Sequence, residues 1–194
     1  TFILITDYPS QLPLTVVSRC QHITFPPLEN ESIVSLLTSK GIETRTANLC
    51  VHISGGNLHR ALSLSDQSPN ELLSYTKDFV STLLTEDGGR WKTLSQEFGR
   101  MARFSPEESR MRIALVQKWF HEAYLIRSGA NNGNSFADFS EDISSFNQRY
   151  PNADLKEIHS ALDRIVQAPD KNLYMPLVMT NMFLDVRRHL AGSN

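Results

Sequence analysis

Apolar and polar positions follow two different rules along this chain. In "TFILITDYP" residues 2–6 are β-prone, with an apolar run over 2–5, and Asp7-Tyr8-Pro9 then breaks it. Such a short β-prone block bounded by turn residues predicts a buried strand. A one-turn helix is expected from Pro13 to Ser18, with proline near its first position. "QHITF" alternates as a second short strand and stops at Pro26-Pro27, a pair that continues neither element and reads as a hinge.

From there the period is helical. Asn30 can cap a helix carrying Ile33, Leu36 and Leu37 and ending at Gly41. Thr46 to Ile53 predicts a second helix, stopped by Ser54-Gly55-Gly56. Asn57 caps a third, with Leu58, Ala61, Leu62 and Leu64 to one side. Ser68-Pro69 opens a region of longer helices. The first carries Leu72, Leu73, Phe79, Val80, Leu83 and Leu84, and Gly88-Gly89 is expected to break it. Trp91 to Phe104 follows. The next runs to Arg127, with Ser105 as N-cap, Pro106 at the first position and Glu108 placed for a capping box. A polar loop, "SGANNGNS", separates it from helices near 137–149, 154–168 and 172–189. The expectation is a mainly α chain whose larger part is a bundle of five or six helices.

Composition narrows the function classes. A formal charge of -2 in 194 residues gives no global signal for nucleic acid or a membrane surface, and no apolar run is long enough to span a bilayer. Cys20 and Cys50 lack ligand-spaced neighbours, which argues against zinc. Both lie in apolar-periodic surroundings and are expected to be buried free thiols in a reducing, cytoplasmic setting. His52 and His59 are separated by a glycine break and form no helical ligand pair. The chain opens directly on a strand pattern without Met, and the strand lacks partners downstream. The expectation is a fragment with a further domain before it.

No self-contained active site is legible: there is no GxxxxGKS/T loop, HExxH, GxSxG or carboxylate pair on a recognisable scaffold. Arg19 stands out because it follows the first predicted strand on the side where open α/β sheets meet ligands. Its planar fork suits an oxyanion on another molecule. Spacing alone favours an ordinary surface ion pair, since most exposed arginines are structural or solvated. Arg100, Arg103, Arg110 and Arg112 cluster around "FSPEES". Glu107 and Glu108 interrupt them, so a solvated helix face is the simpler reading beside contact with DNA or a partner. Arg187, Arg188 and His189 close the last helix, where positive charge complements the macrodipole.

The segment "TFILITDYPSQLPLTVVSRCQHITFPPL" resembles the end of the AAA+ core in clamp-loader subunits. Thr15, Val16, Ser18, Arg19, Cys20, Gln21, Phe25, Pro27 and Leu28 match the family's SRC signature. "HISGGNLHRALSLSD" is similar to its sensor-2 segment. The resemblance implies a short AAA+ α/β remnant over 1–28, a three-helix lid over 29–67 and a helical collar used for oligomerisation over 68–194. It implies that Ser18, Arg19 and Cys20 form the SRC motif, that Thr6 is sensor-1-like, and that Arg19 is an arginine finger. That finger would act on ATP and Mg held by a neighbouring subunit. Implied partners are the gamma/tau and delta subunits of the loader and, through them, the sliding clamp and primer–template DNA. No membrane is implied.

One departure from the family matters. His59 occupies the sensor-2 position, and Arg60 is one place late, about 100° round the helix. Histidine is a poor γ-phosphate ligand at pH 7, which points to a subunit that does not hydrolyse ATP. His59 as a solvated turn residue stays open, as do an ATP-hydrolysing gamma/tau-type subunit and an unrelated helical adaptor.

Overall fold

Every regular element in the computed structural model is helical, across described residues 2–6, 12–26, 28–65, 69–130, 137–168 and 173–191. The chain divides into two units, Thr1–Ser65 and Asp66–Asn194.

The first unit holds α1 (Leu14–Val17), α2 (Asn30–Ser39), α3 (Thr44–Ser54) and α4 (Leu58–Ser65). The last three pack on one another through Ile33 and Leu37 of α2, Ala47, Cys50, Val51 and Ile53 of α3, and Ala61 and Leu64 of α4. α2 stops at a Schellman turn. Ile42 N–H donates to Leu37 O at 3.2 Å and Gly41 N–H to Thr38 O at 2.9 Å. Gly41 has φ +88°, a conformation that costs glycine little.

The second unit holds α5 (Pro69–Leu83), α6 (Gly88–Phe104), α7 (Pro106–Arg127), a 3-10 turn (Ala137–Phe139), α8 (Ser140–Arg149), α9 (Leu155–Gln167) and α10 (Met175–Leu190). α7 contacts α5, α6, α8 and α9. Its buried residues accordingly include Met111, Ile113, Leu115, Val116, Trp119, Phe120 and Ala123, which occupy more than one face. Trp119, Phe120 and Phe146 meet edge to face at 5.0–5.7 Å. At its C-terminal end Arg127 donates to Asn147 Oδ1, to Ala153 O at 2.8 Å and to Tyr150 O at 2.9 Å. This ties α7 to α8 and to the turn before α9. Burial pulls the Arg127 pKa down, so these three acceptors offset a desolvated charge.

α6 and α10 run antiparallel. Trp91 stacks on Phe183 at 5.1 Å, while Gly99 lies beside Pro176, 3.3 Å from where a Cβ would sit. The Trp91 indole N–H donates to Thr82 O at 3.0 Å, which fastens α5 to the same pair.

Several expectations are corrected. Residues 2–6 and 21–26 are not strands, and Phe2, Ile3, Leu4, Ile5, Ile23 and Phe25 are exposed. A strand needs a neighbour to accept its backbone hydrogen bonds, and no strand is assigned among the described residues. Asn30 is the first residue of α2 rather than its cap; Glu29 holds that position without a side-chain bond. Gly88-Gly89 do not break a helix but begin α6, because the Asp87 carboxylate accepts from Gly89 N–H at 2.8 Å and Arg90 N–H at 3.2 Å. Ser105 holds the N-cap position of α7 with Pro106 at the first position, as expected, but its side chain makes no cap bond. Glu108 pairs instead with Arg112 at 2.6 Å, so the capping box is not formed. Asn57 does cap α4, its Oδ1 accepting from Arg60 N–H at 3.0 Å. Part of the expected 128–135 loop, residues 131–136, lies outside the described residues, as do Asp7 and Pro27.

Phe183→Ala removes a fully buried ring and the stacking partner of Trp91. It is expected to destabilise the second unit by about 3–5 kcal/mol, read by urea titration. A loss below about 1 kcal/mol would contradict the packing described.

Candidate functional site

Pro13 sets up α1: its carbonyl accepts from Val16 N–H at 2.9 Å and Val17 N–H at 3.1 Å. The turn tightens at its end, where Arg19 N–H donates to Val16 O at 3.0 Å and Cys20 N–H to Val17 O at 3.2 Å. α1 buries none of its residues. Ser18, Arg19 and Cys20 are therefore held by local backbone bonds and lie exposed.

The Thr15 carbonyl gathers two of these side chains. Arg19 Nη1 donates to it at 2.7 Å and Ser18 Oγ at 3.4 Å. A guanidinium carries five N–H donors, and this contact uses one edge of the fork. The arrangement steadies the arginine against its own turn while the rest of the fork faces solvent.

Downstream, Leu28 N–H donates to Gly56 O at 3.1 Å, which fastens the end of the SRC-containing segment to the turn between α3 and α4. His59 follows on the first turn of α4. It is exposed, whereas Arg60 is half-buried and Ala61 is buried. Thr6 is exposed in the irregular segment 2–6. The geometry brings Ser18, Arg19 and Thr15 together. It gives no direct bond from Arg19 to His59.

The thiols separate. Cys50 is buried on α3, as expected, and burial pushes its thiol up to about 11. Cys20 is exposed, contrary to expectation. The apolar periodicity around it continues neither element that would have covered it. No group of three or more His, Cys, Asp or Glu able to hold a metal is present among the described residues.

The arginine cluster also divides. Arg110 pairs with Glu107 at 2.6 Å and Arg112 with Glu108 at 2.6 Å, both within α7. Arg112 lies 4.3 Å from the centroid of the Tyr75 ring. Burial raises the Tyr75 phenol, Arg112 opposes that, and Glu97 and Glu108 add to it. Arg100 and Arg103 are exposed, with Arg103 5.6 Å from the Phe104 ring. Sequence reading missed the cleft of about 450 Å³ between α5 and α6, lined by Tyr75, Asp78, Phe79, Arg90 and Glu97 among others. Its walls read as ordinary helix faces because each helix supplies only half of it.

Over 85 residues the chain is 32% identical to DNA polymerase III subunit tau of Bacillus subtilis (strain 168). The similarity covers 41% of this chain and 14% of that protein, so the chain corresponds to a small part of the relative's length. No family model matches the chain, and no solved structure matches it. The partial similarity relates the chain to a DNA polymerase III subunit. No helix among the described residues is long and apolar enough to cross a membrane.

In the native protein a thiol-specific aromatic disulfide should modify Cys20 rapidly, and Cys50 only after denaturation. Equal native rates at the two thiols would contradict the burial difference.

Proposed function

We propose that this chain is part of a bacterial DNA polymerase III clamp-loader subunit of the delta prime, stator-like kind. In this reading residues 1–28 end an AAA+ core, 29–67 form the lid and 68–194 form the collar. The chain assembles with gamma/tau and delta subunits and does not itself hydrolyse ATP. Arg19 is the finger it lends to ATP and Mg in an adjacent subunit during loading of the sliding clamp on primer–template DNA.

The observation that carries this is the SRC run itself, with its arginine exposed and tethered at a helix end. An arginine finger must reach beyond its own chain, so exposure with a firm base is the required presentation. The partial similarity to the tau subunit supports a place in the same assembly. His59 at the sensor-2 position supports the non-hydrolysing assignment, because the lid then offers no fixed cation at that point.

That same similarity favours a second reading, an ATP-hydrolysing gamma/tau-type subunit. Equilibrium ATP binding by the complete subunit separates the two. Tight binding dependent on a lysine-containing phosphate loop supports the ATPase; absence of binding supports the stator.

Arg19→Ala in a reconstituted loader is expected to lower DNA-stimulated ATP hydrolysis by a factor of about 10³ or more, with subunit assembly retained by gel filtration. Unchanged hydrolysis in an intact complex overturns the finger assignment.

A further inference from the structure

The cleft between α5 and α6 plays no part in either reading of Arg19, and its charges are unevenly met. α5 lines it with Tyr75, Asp78, Phe79 and Thr82, and α6 with Arg90, Thr93, Leu94 and Glu97. Both sets run i, i+3, i+4, i+7, so each is a single stripe of its helix. The stripes face each other antiparallel. The Trp91 indole N–H on Thr82 O marks the end near the connecting turn. Glu97 acts on the Tyr75 phenol at the far end.

At the turn end the charged groups are engaged within the chain. Asp87 accepts from the Gly89 and Arg90 amides, and Arg90 Nη2 donates to Ser81 Oγ at 3.2 Å. At the far end Asp78 and Glu97 are exposed and have no ion pair or hydrogen bond among the described residues. Phe79, fully buried, and Leu94, half-buried, put an apolar strip beside them. The Tyr75 hydroxyl is buried with no hydrogen-bond partner. Arg112 lies over the Tyr75 ring, but its charge is taken up by Glu108 at 2.6 Å.

These groups select the occupant. Two unpaired carboxylates repel an anion, and a neutral molecule leaves them without a counter-charge. A metal is not favoured, since no group of three or more His, Cys, Asp or Glu able to hold one is present among the described residues. A primary ammonium carries three N–H donors, and the far end offers three acceptors: Asp78, Glu97 and the Tyr75 oxygen. The oxygen is covered by its neighbours, so the ring must tip to meet the ammonium; it gives up no hydrogen bond in doing so. A cleft of about 450 Å³ falls in the size range of small-molecule sites.

We infer that the α5–α6 cleft binds a small organic amine, its ammonium held by Asp78, Glu97 and Tyr75 and its apolar body lying over Phe79 and Leu94.

2-Phenylethylamine titrated into the full chain is expected to give saturable amide shifts along α5 and α6, with a Kd of about 1 mM or tighter. 2-Phenylethanol, the same body without the charge, should bind at least about tenfold more weakly. Asp78→Asn with Glu97→Gln should weaken amine binding at least about tenfold. Both side chains are exposed, so the urea midpoint should hold. Tyr75→Phe should weaken it about threefold or more. A partner's lysine would present the same ammonium without the aromatic body; Nα-acetyl-lysine amide should therefore bind more weakly than 2-phenylethylamine. No saturable shift up to about 10 mM amine overturns the inference. So does equal binding of the alcohol, tighter binding of the lysine amide, or unchanged affinity in either variant.

Discussion

α7 can sit in the middle of the second unit only because most of its circumference is apolar. A helix with one apolar stripe packs on one layer. α7 instead sets Met111, Ile113, Leu115, Val116, Trp119, Phe120 and Ala123 against neighbours on several sides. At its C-terminal end Arg127 is half-buried, and the chain meets that cost with acceptors from Asn147, Tyr150 and Ala153. The position of α8 and the start of α9 follow from those bonds. Trp91 and Phe183 then close α6 and α10 together at another part of the unit.

The first unit has the opposite character. Its helices α2, α3 and α4 share a small core, and the segment before them contributes little to it. Arg19 owes its placement to one carbonyl four residues back. Such a side chain is held well enough to keep a direction, yet it gains nothing further from its own chain. The proposed role in a neighbour's ATP site is consistent with that economy: the charge is stabilised only when an oxyanion arrives from outside.

How far the fold could be read from the sequence depended on the range of the interactions involved. Helices from Asn30 onward were legible because their period and their stops are local. Gly41 ends α2 and Asn57 caps α4 through atoms a few residues apart. The misreadings fall where a distant or competing partner decides. Residues 2–6 have strand composition, but composition cannot supply a neighbouring strand. Gly88-Gly89 reads as a break, but Asp87 accepts from the Gly89 and Arg90 amides and starts a helix there, and Glu108 pairs with Arg112 rather than turning back to Ser105. At the candidate site, an exposed arginine following a one-turn helix was legible from residue types. The exposure of Cys20 and the cleft between α5 and α6 were not, since both depend on what the surrounding elements leave uncovered.

The two functional readings turn on a single helical register. His59 and Arg60 are adjacent, but on α4 they point about 100° apart. His59 is exposed, and Arg60 is half-buried beside the core residue Ala61. Exchanging their roles would require α4 to rotate, which would carry Ala61 and Leu64 out of the core they share with α2 and α3. If α4 belongs to a lid as proposed, a small adjustment cannot bring Arg60 to the point held by His59 without exposing that core. This packing constraint, beyond the chemistry of histidine, favours the reading in which the subunit lends an arginine and keeps none for a nucleotide of its own.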